Sequence, residues 1–373
     1  MRIAINTRFL LSHKMEGFGW YTYEIVRRIV KNHPEHEFFF FFDRAFDPKF
    51  IFAENVTPVV LNPQARHPIL HYIWFEFSVK KALKKHQIDL FFSPDGYLSL
   101  SSDVKQIATI HDINFEHNPE DLSWLTSKYY RYFFPKFAKK AHHILTVSEY
   151  SKQDITTTYK IDSEKITAVW NGASAIFQPL SLSEKNATRE KYAEGKEYFL
   201  FVGALSPRKN VKRLLQAFDI FKTKYPENNT QFVIVGEELW TNALAEIQLP
   251  EDVQKQIHFT GHIELKELAA IMASATIFTF VPYFEGFGIP LVEAMKSGTP
   301  ILSGNKTSLP EIAGECALYC DPFDVNDIAN QLEQLAFDKE LQQRLSSKGL
   351  ARSEKFSWDI SAEKIWEVLT SEH

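Results

Sequence analysis

The stretch FEGFGIPLVEAM, residues 284–295, carries two glutamates separated by a glycine-containing turn. It follows the apolar run Ile277–Val281, and Pro290 is typical of the first turn of a helix. A strand, a glycine turn and a helix start leave free backbone N–H groups at the carboxyl end of a sheet, where phosphates and sugar hydroxyls bind. We expect Glu285 on the turn and Glu293 about two turns along the helix. A glycine turn beside two solvated glutamates is the alternative interpretation.

A second candidate site, GALSPRKNVKR at residues 203–213, also lies between an apolar run and a helical pattern. Arg208 and Lys209 fall on its turn, where a guanidinium and an ammonium group can bind a diphosphate. Asn210 is predicted to cap the helix that follows. A solvated basic loop would show the same residue types, so this motif alone does not decide the chemistry.

Two weaker motifs lie in the first half of the chain. Gly17 and Gly19 follow the first apolar run, and two glycines would let the backbone approach a ligand closely. His111 ends the run Ile107–Ile110, a position where a histidine is often only a structural, hydrogen-bonded residue. Neither motif alone identifies a ligand.

Short apolar runs alternate with helix-patterned segments along almost the whole chain, which predicts parallel strands buried on both faces by crossover helices. The runs are too many for one ordinary open sheet, so the fold class is α/β with two Rossmann-like, doubly wound domains. An eight-stranded barrel is the structural alternative. The turn-rich segment 171–195 favours two domains, predicted at 1–175 and 176–355, and residues 356–373 are predicted as a helix that packs back on the first domain.

Charge and cysteine content limit the function classes. The 373 residues have a formal net charge of −5, which argues against a general nucleic-acid binder. Residues 1–170 hold 22 Lys and Arg against 19 Asp and Glu, and the remainder holds 20 against 28, as suits two domains that face different partners. Two cysteines and the lack of a charged leader before a long apolar run predict a cytoplasmic protein without a disulfide scaffold.

Two basic and aromatic stretches in the first half suggest peripheral contact with an anionic membrane on the inner face. One runs from Trp74 to Lys85 and the other covers residues 128–140. An amphipathic helix with its lysines in water is the competing interpretation. The lysines predicted to face lipid are Lys80, Lys81, Lys84 and Lys85.

Taken in order, the four motifs resemble the retaining nucleotide-sugar glycosyltransferases of family 4, usually called glycosyl transferases group 1. The most specific parts are the glutamate pair around Gly-Phe-Gly and the segment SLPEIAG at residues 308–314. The resemblance covers nearly the whole chain. A dehydrogenase fits less well because the three-glycine dinucleotide fingerprint is absent, and no pyridoxal-phosphate lysine motif of a glycan phosphorylase is found.

The resemblance implies a GT-B fold, with two Rossmann-like domains around a cleft and the nucleotide held mainly by the second domain. It implies transfer of a sugar from a nucleotide-sugar donor, GDP-mannose favoured and a UDP-sugar open, to a glycan or lipid-linked acceptor in cell-surface polysaccharide synthesis. It implies no metal and no other cofactor. A catalytically inactive sugar-nucleotide-binding module and a sugar-nucleotide epimerase of the same fold are the alternatives.

The family's side-chain roles transfer residue by residue. Arg208 and Lys209 match the pair that binds the donor diphosphate and stabilises charge on the departing nucleotide. Glu285 matches the glutamate at the donor sugar, and Glu293 the one at the ribose hydroxyls. Ala204 departs from the pattern, because several members carry a further phosphate-binding arginine there.

The remaining roles concern backbone groups and one histidine. Gly17 and Gly19 match the loop that closes over the phosphates from the first domain, and His111 matches the family's histidine near the reactive carbon of the donor. The N–H groups expected to hold sugar hydroxyls and phosphate belong to Phe287, Gly288 and Ile289.

Overall fold

The computed structural model describes residues 1–12, 15, 17–236 and 249–371. The chain divides into two compact units, Met1–Asn171 with Ser357–His373 and Gly172–Phe356. The first division lies four residues before the predicted boundary at 175, and the second lies one residue after the predicted boundary at 355.

The first unit is built on a parallel sheet that has seven strands in the described part of the chain, in the order β3-β2-β1-β4-β5-β6-β7. The strands β1 to β7 are Arg2–Asn6, Glu37–Phe42, Val56–Val60, Leu90–Ser93, Lys105–Thr109, His143–Thr146 and Ile166–Ala168. The helices α1 to α6 are Gly17–Asn32, Pro68–Ile73, Lys80–Lys85, Asn114–His117, Trp124–Lys140 and Glu149–Tyr159.

The second unit is built on a parallel sheet of six described strands in the order β10-β9-β8-β11-β12-β13. The strands β8 to β13 are Tyr198–Val202, Gln231–Val235, Ile257–Gly261, Ile277–Phe280, Ile301–Gly304 and Ala317–Cys320. The helices α7 to α14 are Leu182–Ala193, Val211–Lys224, Glu251–Gln254, Leu265–Ser274, Ile289–Lys296, Leu309–Ala313, Val325–Phe337 and Lys339–Ser353. Two separate open sheets confirm the doubly wound prediction and exclude the barrel.

The last helix, α15 (Trp358–Thr370), belongs to the first unit and packs on α1. The His33 and Trp366 rings stack with centroids 3.9 Å apart, and the Arg28 guanidinium forms a salt bridge with Asp359. The chain therefore returns to its first unit after completing the second.

Continuous apolar strands explain why both sheets are covered on two faces. Phe38 to Phe42 form nearly all of β2, and each is at most 4% exposed. Burying a phenylalanine side chain contributes about 1.5–3 kcal/mol relative to leaving it in water. The two cysteines, Cys316 and Cys320, form no disulfide, as the sequence indicated, and both are buried.

In each sheet the strand order reverses between two neighbouring strands. The reversal falls between β1 and β4 in the first unit and between β8 and β11 in the second. Ligands of open α/β sheets bind beyond the carboxyl ends of the strands at such a point. The loops after β8 and β11 carry the two strongest sequence motifs, so this topology places them side by side.

Candidate functional site

Arg208 and Lys209 lie on a 3₁₀ turn, Pro207–Lys209, shortly after β8. The Lys209 residue is only 8% exposed, and its ammonium lies 4.9 Å from the centre of the Phe280 ring. Arg208 is less buried, with 28% of its side chain exposed. The turn therefore presents one shielded cation and one that reaches solvent.

Asn210, predicted as a helix cap, occupies the N-cap position of α8 but forms no side-chain cap hydrogen bond. Its backbone is left-handed, with φ 61°, and its amide Nδ2 donates to the carbonyls of Val281 (3.0 Å) and Pro322 (2.6 Å). Asparagine tolerates this conformation better than most residues. The predicted N-cap position is therefore confirmed, but the side chain does not cap the helix and instead joins the loops after β8, β11 and β13.

The main chain of Glu285 is held from both sides by the segment that follows β12. Its N–H donates to the Thr307 hydroxyl at 3.2 Å, and the Ser308 hydroxyl donates to its carbonyl at 2.8 Å. The backbone position of Glu285 is thus determined by hydrogen bonds that do not involve its carboxylate.

Both predicted phosphate-binding cations contact the same carboxylate oxygen. Arg208 Nη1 lies 2.9 Å from Glu285 Oε2, and Lys209 Nζ lies 2.5 Å from that oxygen. Burial alone would raise the pKa of Glu285, but the charges and hydrogen bonds of Lys209 and Arg208 outweigh burial and hold the pKa below its usual value. The carboxylate is therefore ionised at neutral pH, and the three groups carry a net charge of about +1.

The turn after Glu285 leads directly into α11. Gly288 has φ 92°, a left-handed conformation that favours glycine, and a Cβ there would lie 3.2 Å from Leu309. Phe287 is buried against the Phe356 ring, at 6.0 Å between centroids. Ile289 begins the helix, so the N–H groups at this turn include those that a helix leaves without intrahelical partners.

Glu293 lies one turn into α11, rather than about two turns as predicted, because the helix begins only at Ile289; its side chain is partly buried. In the part of the chain that the structure describes, its carboxylate has no hydrogen-bond or ion-pair partner. Burial raises the pKa of Glu293 to about 7. An acceptor group without a protein partner fits a role in binding ligand hydroxyls.

The raised pKa makes folding stability depend on pH. Folded Glu293 holds its proton up to about pH 7, whereas an ordinary glutamate loses it near 4.5. The stabilising contribution is therefore present below about pH 4.5 and is lost as the pH rises to about 7. We expect Glu293→Gln to melt above the wild type at about pH 8, with the difference shrinking towards about pH 5. Parallel thermal melts across that range that show no pH-dependent difference would contradict this.

In the first unit, Gly17 and Gly19 lie in the first turn of α1 rather than on the loop before it. Gly17 is exposed, and a Cβ at that position would meet nothing within 4 Å. A Cβ on Gly19 would lie 2.7 Å from the Phe9 carbonyl oxygen, so close packing requires glycine there.

His111 lies directly after β5 and Ile110. Its Nε2 is 2.8 Å from the Pro94 carbonyl oxygen, and the rings of Phe18 and Tyr21 contact the imidazole edge to face, with centroids 4.9 and 4.6 Å away. A carbonyl only accepts, so Nε2 carries the proton. Burial lowers the pKa of His111, with partial opposition from that hydrogen bond and two nearby aspartates. His111 is therefore a neutral imidazole whose Nδ1 can accept a hydrogen bond.

The four lysines predicted to face lipid all lie on α3 and are exposed. Ala82 and Leu83 of the same helix are buried. The preceding segment, Trp74–Val79, is a π-helix that leaves Phe77 62% exposed. No helix in the described ranges is both long and apolar enough to cross a membrane. Contact with lipid stays a prediction.

Sequence reasoning did not find the contribution of Thr307. This residue has φ 57°, although left-handed backbone is unfavourable for a β-branched side chain and costs about 1–3 kcal/mol. Its hydroxyl accepts from Glu285 N–H and donates to the Lys306 carbonyl, which fixes the loop at the site. The neighbouring motif at residues 308–314 was the available signal, but nothing in it indicated this backbone conformation.

Comparison with known proteins places two family models on the chain. The model of glycosyl transferases group 1 matches residues 183–352, and the model of glycosyltransferase family 4 matches residues 15–175. The O-antigen chain mannosyltransferase B of Escherichia coli is 26% identical over 370 residues, covering 94% of both chains.

Solved structures of similar proteins agree with the observed fold. WaaG, a glycosyltransferase involved in lipopolysaccharide biosynthesis, gives a TM-score of 0.78 at 18% identity and covers 99% of this chain and 100% of its own. HepE from Anabaena, in complex with UDP and glucose, gives 0.75 at 17% identity, with 99% of each chain covered. These likenesses concern the fold.

Proposed function

Because the chain is a group 1 glycosyltransferase of the GT-B fold, we propose that it transfers mannose from GDP-mannose to a glycan or lipid-linked acceptor. The observation that carries the proposal is the cluster of Arg208, Lys209 and Glu285 at the strand-order reversal of the second unit. The mannosyltransferase names among its relatives support the donor, and the O-antigen relative supports a place in polysaccharide synthesis.

The proposed mechanism follows from how charge develops during transfer. Cleavage of the sugar–phosphate bond leaves positive charge on the sugar and negative charge on the departing diphosphate. Arg208 and Lys209 stabilise that anion, Glu285 contacts the sugar, and Glu293 accepts from the ribose hydroxyls. The N–H groups of Phe287–Ile289 bind sugar hydroxyls and phosphate, which positions the reactive carbon.

We propose that the sugar keeps its anomeric configuration. The acceptor attacks from the side of the leaving group, and a phosphate oxygen of the departing nucleotide takes its proton. His111 is a proposed catalytic residue whose Nδ1 accepts a hydrogen bond from a hydroxyl of the donor. Gly17 and Gly19 are proposed to supply backbone contacts to phosphate. Anomeric NMR of the product tests retention.

A donor screen tests the function most directly. Ligands that bind the folded state raise the melting temperature, so GDP-mannose is expected to give a larger shift than UDP- or ADP-sugars. Nucleotide release is then measured with and without an acceptor extract. Release that requires acceptor supports the transferase. Binding without release under any condition would indicate an inactive binding module, and interconversion of the sugar nucleotide would indicate an epimerase.

We propose that transfer needs no divalent metal, because Arg208 and Lys209 supply positive charge at the diphosphate. The residues that the structure describes contain no group of three or more His, Cys, Asp or Glu side chains arranged to hold a metal ion. We expect full activity in excess EDTA. Activity that is lost in EDTA and restored by manganese or magnesium would overturn this expectation.

We also propose that one face of the first unit contacts an anionic membrane where a lipid-linked acceptor lies. Exposed aromatic side chains on α2 and the π-helix adjoin a partly buried ring on α5: the Tyr72 ring lies 6.3 Å from Phe77 and 5.9 Å from Phe133. The carboxylate of Glu76 accepts from two backbone N–H groups, which leaves it less able to oppose the nearby lysines. Lysines beside exposed aromatic rings suit an anionic lipid interface.

Four lysines at such a surface contribute about 4 kcal/mol to membrane association, enough for reversible binding. We expect the protein to sediment with phosphatidylglycerol vesicles at low salt and to be released at high salt. Replacing Lys80, Lys81, Lys84 and Lys85 with Gln should abolish sedimentation. The matched control replaces four exposed lysines of the second unit, Lys212, Lys266, Lys339 and Lys355. Equal sedimentation of both variants would show that α3 simply faces water.

A further inference from the structure

We propose that Glu285 is an internal counter-ion of the cation pair, and that the donor diphosphate binds by displacing the Glu285 carboxylate from Arg208 and Lys209. This inference rests on the proposed function of the same site. It goes further because it assigns the free protein a state in which the charge of the cation pair is partly neutralised from within, and this state opposes nucleotide binding.

Both cations of the pair meet Glu285 at a single atom. One oxygen, Glu285 Oε2, accepts from both Arg208 Nη1 and Lys209 Nζ. Lys209 lies against the Phe280 ring and is almost completely buried, so its ammonium needs a negative partner when no ligand is present. Glu285 supplies that partner from within the protein.

The charge of the carboxylate opposes binding of a diphosphate at the same cations. A diphosphate carries at least two negative charges, and a carboxylate left between the two cations would repel it at close range. Arginine binds phosphate through parallel hydrogen bonds that one carboxylate oxygen does not match. The diphosphate is therefore the stronger partner for the cations. The carboxylate must move before both cations can bind the diphosphate.

The Glu285 side chain can move while its backbone stays in place. Thr307 and Ser308 hold the N–H and carbonyl of Glu285, so rotation of its side chain leaves the turn and the start of α11 in place. Because its backbone stays fixed, the carboxylate released from the cations remains attached to the turn that is proposed to bind the donor sugar. Displacement thus brings Glu285 into position to contact the donor sugar only after the phosphates have bound.

Competition of this kind has a quantitative consequence. If the paired state holds about nine tenths of the free molecules, the apparent affinity for nucleotide is about tenfold weaker than the intrinsic affinity. Removing the charge of Glu285 should remove that penalty. Nucleotide binding should become tighter in the same variant in which sugar transfer becomes slower.

Isothermal titration with GDP and with inorganic pyrophosphate tests the inference on wild type, Glu285→Gln and Glu285→Asp. We expect Glu285→Gln to bind both probes about tenfold more tightly and Glu285→Asp, whose side chain is one methylene shorter, to fall between. Glu285→Asp keeps the test available if Glu285→Gln does not fold. The matched control is Glu315→Gln, an equal charge change at an exposed salt bridge with Lys348, and its affinity should equal that of wild type.

The outcomes separate the two proposals. If wild type binds GDP and Glu285→Gln binds with equal or lower affinity, counter-ion displacement is overturned while the glycosyltransferase function stands. Equal tightening in Glu285→Gln and Glu315→Gln would also overturn it, because net charge alone would explain the gain. If neither the wild type nor the variants bind GDP, UDP or ADP, the proposed function fails together with this inference.

Discussion

Replacing Lys209 with alanine is expected to lower kcat by about 100-fold or more. A preorganised positive group beside a developing anion contributes most in a shielded site, and removing one such donor from an enzyme typically costs about 10²–10³ in rate. Lys209 meets that condition because it is 8% exposed and lies next to Glu285. Steady-state release of the nucleotide product measures the effect.

Lys212 provides a matched control for this experiment. It lies on α8 three residues further along the chain and is exposed, so Lys212→Ala removes the same charge without reaching the ion cluster. We expect a rate close to that of wild type. Near-normal turnover of folded Lys209→Ala, or an equal loss in Lys212→Ala, would contradict the assignment of Lys209.

The fold could be predicted because its determinants are local in the sequence. Runs such as Phe38–Phe42 and Tyr198–Val202 are apolar on both faces, and only strands covered by helices on both sides can bury them. The turn-rich segment after Asn171 then favoured two domains with separate sheets over a single barrel. Parallel strands also fix where their carboxyl ends lie, which is why motifs after β8 and β11 were expected at a common site.

The contacts between the site residues could not be predicted in the same way. Glu285 is 77 residues from Arg208, and no sequence pattern shows that one carboxylate oxygen accepts from both cations. Asn210 illustrates the same limit: its residue type and position suggested a cap, whereas tertiary contacts with two distant carbonyls determine its conformation. The left-handed Thr307 contradicts the local preference of a β-branched residue altogether.

His111→Ala is expected to reduce turnover by about 100-fold, within the usual contribution of a positioned acid, base or hydrogen-bonding group. The hydrogen bond from Nε2 to the Pro94 carbonyl leaves Nδ1 as the acceptor of the ring. Burial lowers the pKa of His111, so the ring is neutral at physiological pH and its contribution should not vary between about pH 7 and 8.

The tautomer makes a sharper test possible, because asparagine and glutamine replace different ring nitrogens. His111→Asn sets an amide oxygen near the position of Nδ1, whereas His111→Gln sets an amide nitrogen near Nε2 and keeps only the contact with the Pro94 carbonyl. If Nδ1 accepts a hydrogen bond from a hydroxyl of the sugar-nucleotide donor, His111→Asn should recover about tenfold of the activity lost in His111→Ala. His111→Gln should recover less. Equal rates for Asn and Ala variants with wild-type melting temperatures would show that His111 only packs beneath Phe18 and Tyr21.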